Sequence, residues 1–115
     1  MESLRIEYAS TAVESLEDQF VSFARYRKIS LEDARKYFIK LTSRVEKLIR
    51  DCPVRPVCYD ATLYGFYNYS QISVDSYNFV FEFDKSTGLV MIALGVHERQ
   101  SMKLQLERYL LSANR

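Results

Sequence analysis

Two amphipathic segments separated by only a short break constrain the fold of this chain more than any other feature. The first starts at a predicted capping box, Thr11 with Glu14, in which the hydroxyl accepts a free backbone N–H and the carboxylate reaches back. Its apolar residues then recur at helical spacing as far as Ala24. A second box, Ser30 with Asp33, follows almost at once and predicts the start of another helix.

This second helix carries one apolar stripe along its length. It is expected to end near Asp51, because Pro53 lacks an N–H and disfavours helix in the residue before it. Two helices joined by so short a break run antiparallel, so we predict a helical hairpin. The stripe consists of Ala34, Tyr37, Phe38, Leu41, Val45, Leu48 and Ile49.

The remaining segments predict a sheet and one more helix. Residues 4–9 alternate apolar and polar side chains, as a half-buried strand does. Residues 77–84 alternate in the same way and lead through a turn at Gly88 into residues 89–96, a nearly unbroken apolar run typical of a central strand covered on both faces. Residues 101–111 predict a short C-terminal helix. The predicted fold is therefore α+β: an N-terminal strand, an antiparallel helical hairpin on a mostly antiparallel sheet of about four strands, and the C-terminal helix.

Aromatic residues cluster in the second half of the chain. From Cys58 onward they are of the kind favoured in strands, and we expect strands there as well. Since the hairpin covers one face of the sheet, the other face is expected to be partly open and lined with tyrosines. That face is the predicted functional surface. The strand-type aromatics before residue 70 are Tyr59, Tyr64, Phe66, Tyr67 and Tyr69.

The length of 115 residues supports one domain, spanning residues 1–115. No apolar run approaches the roughly 20 residues needed to cross a bilayer. The first five residues lack the apolar stretch of a signal peptide. We therefore expect a cytoplasmic protein with no membrane partner.

Charge is distributed unevenly along the chain. Between Arg25 and Arg55 there are ten basic and four acidic residues, a charge of +6, which leaves six basic and eleven acidic residues, a charge of −5, elsewhere. A basic helical region can attract a polyanion or an acidic partner. A solvated helix face explains the same pattern.

Strong catalytic motifs are missing from the sequence. It contains no Gly-rich phosphate loop, no G-x-S-x-G and no spacing of metal ligands, so we predict no cofactor and no metal. Cys52 and Cys58 are too few for a zinc site or a disulfide framework and are expected to be free thiols.

The single histidine, His97, follows the apolar strand, and Arg99 lies two residues on. Imidazole can act as a general acid or base near neutral pH, and a guanidinium can hold a phosphate by paired hydrogen bonds. Alternatively, both side chains only polarise the strand end and pair with Glu98 or Asp60. Three tyrosines, Tyr64, Tyr67 and Tyr69, have three possible roles. They can pack in the core, stack on unpaired bases or form an apolar strip on which another protein docks.

The closing hairpin resembles that of the RelE/ParE superfamily, the toxins of type II toxin–antitoxin (plasmid stabilisation) modules. Residues 77–84, a turn and residues 89–99 follow that family's Tyr-bearing strand, acidic turn and final apolar strand ending in H-x-R. The element order is similar over nearly the whole chain, whereas the motif covers about twenty-five residues.

This resemblance implies a growth-inhibiting toxin held inactive by a cognate antitoxin in a hetero-oligomer. It implies His97 and Arg99 as catalytic residues of a metal-independent endoribonuclease that cleaves messenger RNA at the ribosome (an mRNA interferase). Asn78 stands where the family usually has arginine, and Lys103 where some members carry a late tyrosine. With the stacking candidates, the implied substrate-binding residues are Tyr64, Tyr67, Asn78 and Lys103.

Two other functions stay open. A ParE-like toxin would inhibit DNA gyrase by docking, with tolerance at His97 and sensitivity along the hairpin, for example at Lys40 or Arg44. An inactive relative would only bind an antitoxin. All three predict an acidic or amphipathic antitoxin segment across the apolar, tyrosine-lined surface.

Overall fold

The computed structural model describes residues 4–111, so the ends of the predicted domain, residues 1–3 and 112–115, lie outside the described part. In chain order the elements are β1 (Arg5–Tyr8), α1 (Ser10–Arg27), α2 (Leu31–Asp51), α3 (Tyr59–Thr62), β2 (Tyr69–Val74), β3 (Tyr77–Asp84), β4 (Leu89–His97) and α4 (Met102–Leu106), which continues as a π-helical turn over Glu107–Leu111. The predicted α+β class, hairpin, four-stranded sheet and C-terminal helix are confirmed.

The sheet has the strand order β1-β4-β3-β2, with β1 parallel to β4 and the other neighbours antiparallel. A two-residue turn joins β2 to β3, and both of its residues, Asp75 and Ser76, have positive φ, as the tight turns of twisted hairpins require. The register of β3 against β4 shifts after Val80, which leaves Ala93 opposite no residue of β3. This bulge frees backbone groups in the middle of the central strand.

The two predicted helix starts have different outcomes. The hydroxyl of Ser30 accepts the backbone N–H of Asp33 at 3.0 Å, so the cap of α2 is confirmed. The box at Thr11 is wrong: α1 begins at Ser10, and the Thr11 hydroxyl donates instead to the carbonyl of Ala93 at 2.8 Å. The bulge offers this buried hydroxyl an acceptor, and the contact across the core takes precedence over the local cap.

The main core lies between the hairpin and one face of the sheet. The buried side of α2 packs on alternate residues of the three antiparallel strands, as the predicted apolar stripe requires. α2 ends at Asp51, two residues before Pro53, as predicted. The buried residues of this core include Phe38, Leu41, Val45, Ile49, Ile72, Val74, Phe79, Phe81, Val90 and Ile92.

The centre of the opposite sheet face is covered, and only its margins, such as Arg5, Glu7 and Ser73, are exposed. The face is therefore partly open, as predicted, but the predicted lining of tyrosines is wrong. α4 and its π-helical turn lie over the centre of this face and form a second core with α3. A short helix with apolar residues at helical spacing is enough to cover two central strands. This core buries Cys58, Ala61, Val80, Leu94, Val96, Met102, Leu106, Tyr109 and Leu110.

The segment before β2 also differs from the prediction. Tyr59 begins the one-turn helix α3, and the chain from residue 63 to residue 68 forms a turn and loop rather than a strand. Only Val57 forms a single bridge, to Ser70 of β2. An aromatic segment forms a strand only where a neighbouring strand is available for pairing. Residues 56–58 already pair with part of the outer edge of β2.

Both cysteines carry free thiols; Cys58 is buried and Cys52 is exposed. Burial raises the pKa of the Cys58 thiol. Within residues 4–111, no helix has the length and apolar character needed to cross a membrane.

Candidate functional site

A cleft of about 740 Å³ lies where the helical hairpin meets the end of β4. The C-terminal half of α1 and the side of α2 form one wall. The β2–β3 turn and the segment that follows β4 form the other. The lining residues are Gln19, Ser22, Phe23, Tyr26, Arg27, Tyr37, Asp75, Ser76, Tyr77, His97, Glu98, Arg99 and Gln100.

His97 is half-buried at the end of β4, opposite Tyr77 of β3. The two rings meet edge to face, with centroids 5.1 Å apart. The Nδ1 atom of His97 accepts a hydrogen bond from the backbone N–H of Arg99 at 3.1 Å. In the neutral ring the proton therefore belongs to Nε2, which makes this edge of the imidazole a hydrogen-bond donor.

The loop after β4 is held in place by a small polar network. The backbone N–H of His97 donates to Oε1 of Gln100 at 3.1 Å, and the same oxygen accepts from Nε2 of Gln19 at 2.7 Å. The N–H of Glu98 donates to the carbonyl of Ser76 at 2.8 Å. Side chains in the cleft thus stand on a segment tied both to α1 and to the β2–β3 turn.

A buried polar stripe on α1 positions β4. Thr11, Ser15 and Gln19 are spaced four residues apart and face the central strand, and all three are buried. Ser15 accepts the N–H of Gly95 at 3.1 Å, beside the bond from Thr11 to Ala93. This stripe was not predicted, although three polar residues at helical spacing on a core-facing helix are a signal that the sequence contains.

Gly95 permits the close approach of α1. A Cβ there would lie 2.7 Å from Cδ2 of Leu16 and 3.1 Å from the ring of Phe79. The glycine therefore allows Leu16 to lie directly on the backbone of β4.

An aromatic wall lines the hairpin side of the cleft. The rings of Phe23 and Tyr37 are stacked, with centroids 4.5 Å apart and planes 12° apart. The guanidinium of Arg27 lies 5.3 Å from the centre of the Phe23 ring, within cation–π distance. Tyr26 is 77% exposed at the rim, where a flat ligand can reach its ring. None of these residues was a predicted site residue.

Four charged side chains line the cleft: Arg27, Arg99, Asp75 and Glu98. Asp75 forms an ion pair with Arg44 of α2, with an N–O distance of 2.5 Å, so its charge is already compensated at the rim. Burial, then the neighbouring Tyr37, raises the pKa of Tyr77 to about 12. At neutral pH the phenol of Tyr77 therefore keeps its proton.

Only two of the predicted site residues meet in this cleft: His97 and Arg99. Asn78 follows Tyr77 in β3 and points to the opposite face, where its side-chain oxygen accepts from the hydroxyl of Ser73. Tyr64 lies beneath the C-terminal helix and donates to Glu107 at 2.6 Å.

The two remaining predicted substrate-binding residues, Tyr67 and Lys103, are exposed. Tyr67 stands in the loop before β2, and Lys103 on α4. The structure therefore does not bring the four predicted substrate-binding residues together around His97.

Across residues 4–111, no three His, Cys, Asp or Glu side chains group closely enough to hold a metal ion. A comparison with known protein families found no match. A comparison with curated proteins found no significant relative either.

Proposed function

We propose that the protein is the toxin component of a type II toxin–antitoxin module and inhibits growth in the cytoplasm by metal-independent cleavage of messenger RNA at the ribosome. Two features support this proposal: the element order, and an open cleft that holds a histidine beside two arginines. The observation that carries it is the bond from the Arg99 N–H to Nδ1 of His97, because it makes Nε2–H the donor of a ring that lines the cleft.

The cleft has groups for each part of such a reaction. Arg27 and Arg99 would hold the scissile phosphate, and the exposed ring of Tyr26 would stack on a base. The ribose 2′-oxygen would attack phosphorus while its proton passes to the carboxylate of Glu98. The bond from phosphorus to the 5′-oxygen breaks. Nε2–H of the neutral His97 ring would donate a hydrogen bond to that oxygen, which takes a proton from water, and Glu98 returns its proton to the hydroxide left behind. The products are a 2′,3′-cyclic phosphate and a 5′-hydroxyl end.

The test is inducible expression of wild type and His97→Ala in a bacterial host, with growth scored and RNA ends mapped. We expect growth arrest with new cyclic-phosphate ends in wild type, and neither in His97→Ala. Lys85→Ala, on the exposed β3–β4 turn far along the sheet, is the matched control and should behave as wild type. Arrest without RNA cleavage, unchanged by His97→Ala, would reject the ribonuclease proposal.

One observation favours a second candidate, gyrase inhibition by docking. The outer face of α2 presents Lys36, Lys40 and Lys47, of which Lys36 pairs with Glu32 at 3.8 Å, and Ile39 beside them is 58% exposed. A row of lysines attracts an acidic macromolecular partner, and Ile39 beside it adds an apolar contact. On this alternative, Lys40→Glu abolishes growth arrest while His97→Ala leaves it intact.

The antitoxin would require an apolar surface, and the covered sheet face does not offer one. Exposed apolar residues instead cluster in the segment around α3: Val54, Val57, Tyr59, Leu63 and Tyr67. An amphipathic antitoxin segment would dock there. If wild type causes no growth arrest at all, antitoxin binding is the only function of the three that survives.

A further inference from the structure

The outer edge of β1 has backbone hydrogen-bonding groups for which residues 4–111 provide no partner strand. The N–H groups of Arg5 and Ala9 donate to Gly88 and Ile92 on the side of β4, each at 2.9 Å. Alternate residues of a strand point their backbone groups in opposite directions within the sheet. Those of Ile6 and Tyr8 therefore point away from β4, towards an edge that no strand within residues 4–111 occupies.

A side chain confirms the direction of these groups. The guanidinium of Arg50 reaches round from α2 and donates to the carbonyl of Leu4 at 2.6 Å. This carbonyl belongs to the same outward set as those of Ile6 and Tyr8. A carbonyl oxygen has two lone pairs, so a strand added at this edge can still bond to it.

The two edge strands of the sheet, β1 and β2, differ in how far other segments cover them. At the β2 edge, Cys58 donates to the carbonyl of Tyr69 and Gln71 donates to that of Pro56, so residues 56–58 cover part of that strand. β1 has no such cover within residues 4–111. An uncovered edge is the place where a further strand can be added.

The side chains of β1 are complementary to a second copy of the same strand. Arg5 and Glu7 are exposed on the sheet face away from the hairpin, while Ile6 and Tyr8 are half-buried on the hairpin side. If two such strands run antiparallel with Ile6 opposite Ile6, then Arg5 of each copy faces Glu7 of the other. Opposite charges placed directly across a strand pair stabilise it.

We propose that the protein forms a two-fold symmetric dimer through β1, which joins two four-stranded sheets into one. In this register the outward groups match: Ile6 faces Ile6, and Leu4 faces Tyr8. These facing pairs exchange about six backbone hydrogen bonds. The Arg5–Glu7 pairs fall at the intervening positions, where cross-strand side chains approach most closely. The inference is independent of the proposed function.

The charge pattern distinguishes a second copy from an unrelated strand. Two copies of the sequence Arg-Ile-Glu place opposite charges across from each other only when they pair antiparallel with the two isoleucines facing. This two-fold contact uses the same surface, the outer edge of β1, on both molecules, so assembly stops at a dimer. No further copy can add at this edge once the pair has formed.

The test is sedimentation equilibrium of the full chain from about 1 µM to about 1 mM, which spans the affinities of weak and moderate dimers. The chains compared are wild type, Arg5→Glu, Glu7→Arg and the double variant with both changes. Each single change places like charges opposite each other twice, and we expect the dimer dissociation constant to rise about tenfold. The double variant restores both pairs and should return to the wild-type constant. Both side chains are exposed, and circular dichroism checks the fold.

A further variant removes a backbone hydrogen bond between the two β1 strands and leaves the charges of Arg5 and Glu7 unchanged. In Ile6→Pro the lost N–H is one that points away from β4, so the β1–β4 ladder keeps its bonds. This variant should be monomeric throughout the same range. Wild type that stays monomeric to about 1 mM overturns the proposal. So does a dimer whose constant is the same in all four charge variants, or a double variant no tighter than the single ones.

Discussion

The backbone N–H of Arg99 donates to Nδ1 of His97 across 3.1 Å, so a bond between the last residue of β4 and the segment that follows it defines both the orientation and the tautomer of the only histidine. The same ring also packs edge to face with the ring of Tyr77. A donor at Nε2 is therefore built into the backbone and does not depend on the Arg99 side chain.

This geometry predicts different results for the backbone and the side chain of Arg99. Arg99→Ala keeps the N–H, so nitrogen NMR at mildly alkaline pH should show the Nε2–H tautomer of His97 in both wild type and the variant. The loss of a guanidinium at the phosphate should lower RNA cleavage by about 10²-fold. A shift of the variant to the Nδ1–H tautomer contradicts the structural basis, whereas unchanged cleavage contradicts only the proposed role.

Ser15 gives a second prediction, about stability. Its hydroxyl accepts the buried N–H of Gly95, and Ser15→Ala leaves that donor without a partner beside the bulge. We expect the free energy of unfolding to fall by about 1–3 kcal/mol in urea titrations. Ser43→Ala, an exposed change on α2, is the matched control and should stay within about 0.5 kcal/mol. Equal effects at the two sites would show that Ser15 does not hold β4.

The helical hairpin could be predicted because its signals are local. Pro53, the Ser30 cap and the apolar spacing of α2 each act within a few residues, and the structure agrees with all of them. The predicted cap at Thr11 failed because a distant contact, not a local one, determines the conformation of this side chain. Its hydroxyl would cap a helix in isolation, but a bulge eighty-two residues away provides a better-placed acceptor. The shift in register that frees Ala93 has no signature in the sequence around Thr11.

The cleft was only half predictable for a similar reason. His97 and Arg99 are two residues apart, so one motif identifies both. Phe23 and Arg27 belong to α1, and Tyr37 to α2, and only the packed hairpin brings them to His97. The sequence shows the run of aromatic and basic residues at the end of α1. It does not show that tertiary packing places this run at the end of β4 and not against solvent.

Alkaline pH gives a third prediction, through Tyr77. Burial raises the pKa of Tyr77 from 10.0 to about 12, so the unfolded chain loses this proton first. The stabilisation is therefore complete below about pH 10 and is lost as the pH rises towards 12. Tyr77→Phe should make the fall in unfolding free energy across this range shallower than in wild type, as measured by urea titration at several pH values. Tyr26→Phe, at an exposed ring, controls for the loss of one hydroxyl.

The C-terminal helix gives the last prediction, because its two leucines have opposite environments. Leu106 is fully buried against β3 and β4, whereas Leu104 is 60% exposed. Leu106→Ala removes the same atoms as Leu104→Ala but leaves a cavity in the second core, so it should lower the free energy of unfolding by about 2–5 kcal/mol. The exposed change should cost less than about 0.5 kcal/mol. Urea titrations of both variants compare the two directly. If both changes cost little, α4 does not contribute to the fold, and the sheet face that it covers is available to a partner after all.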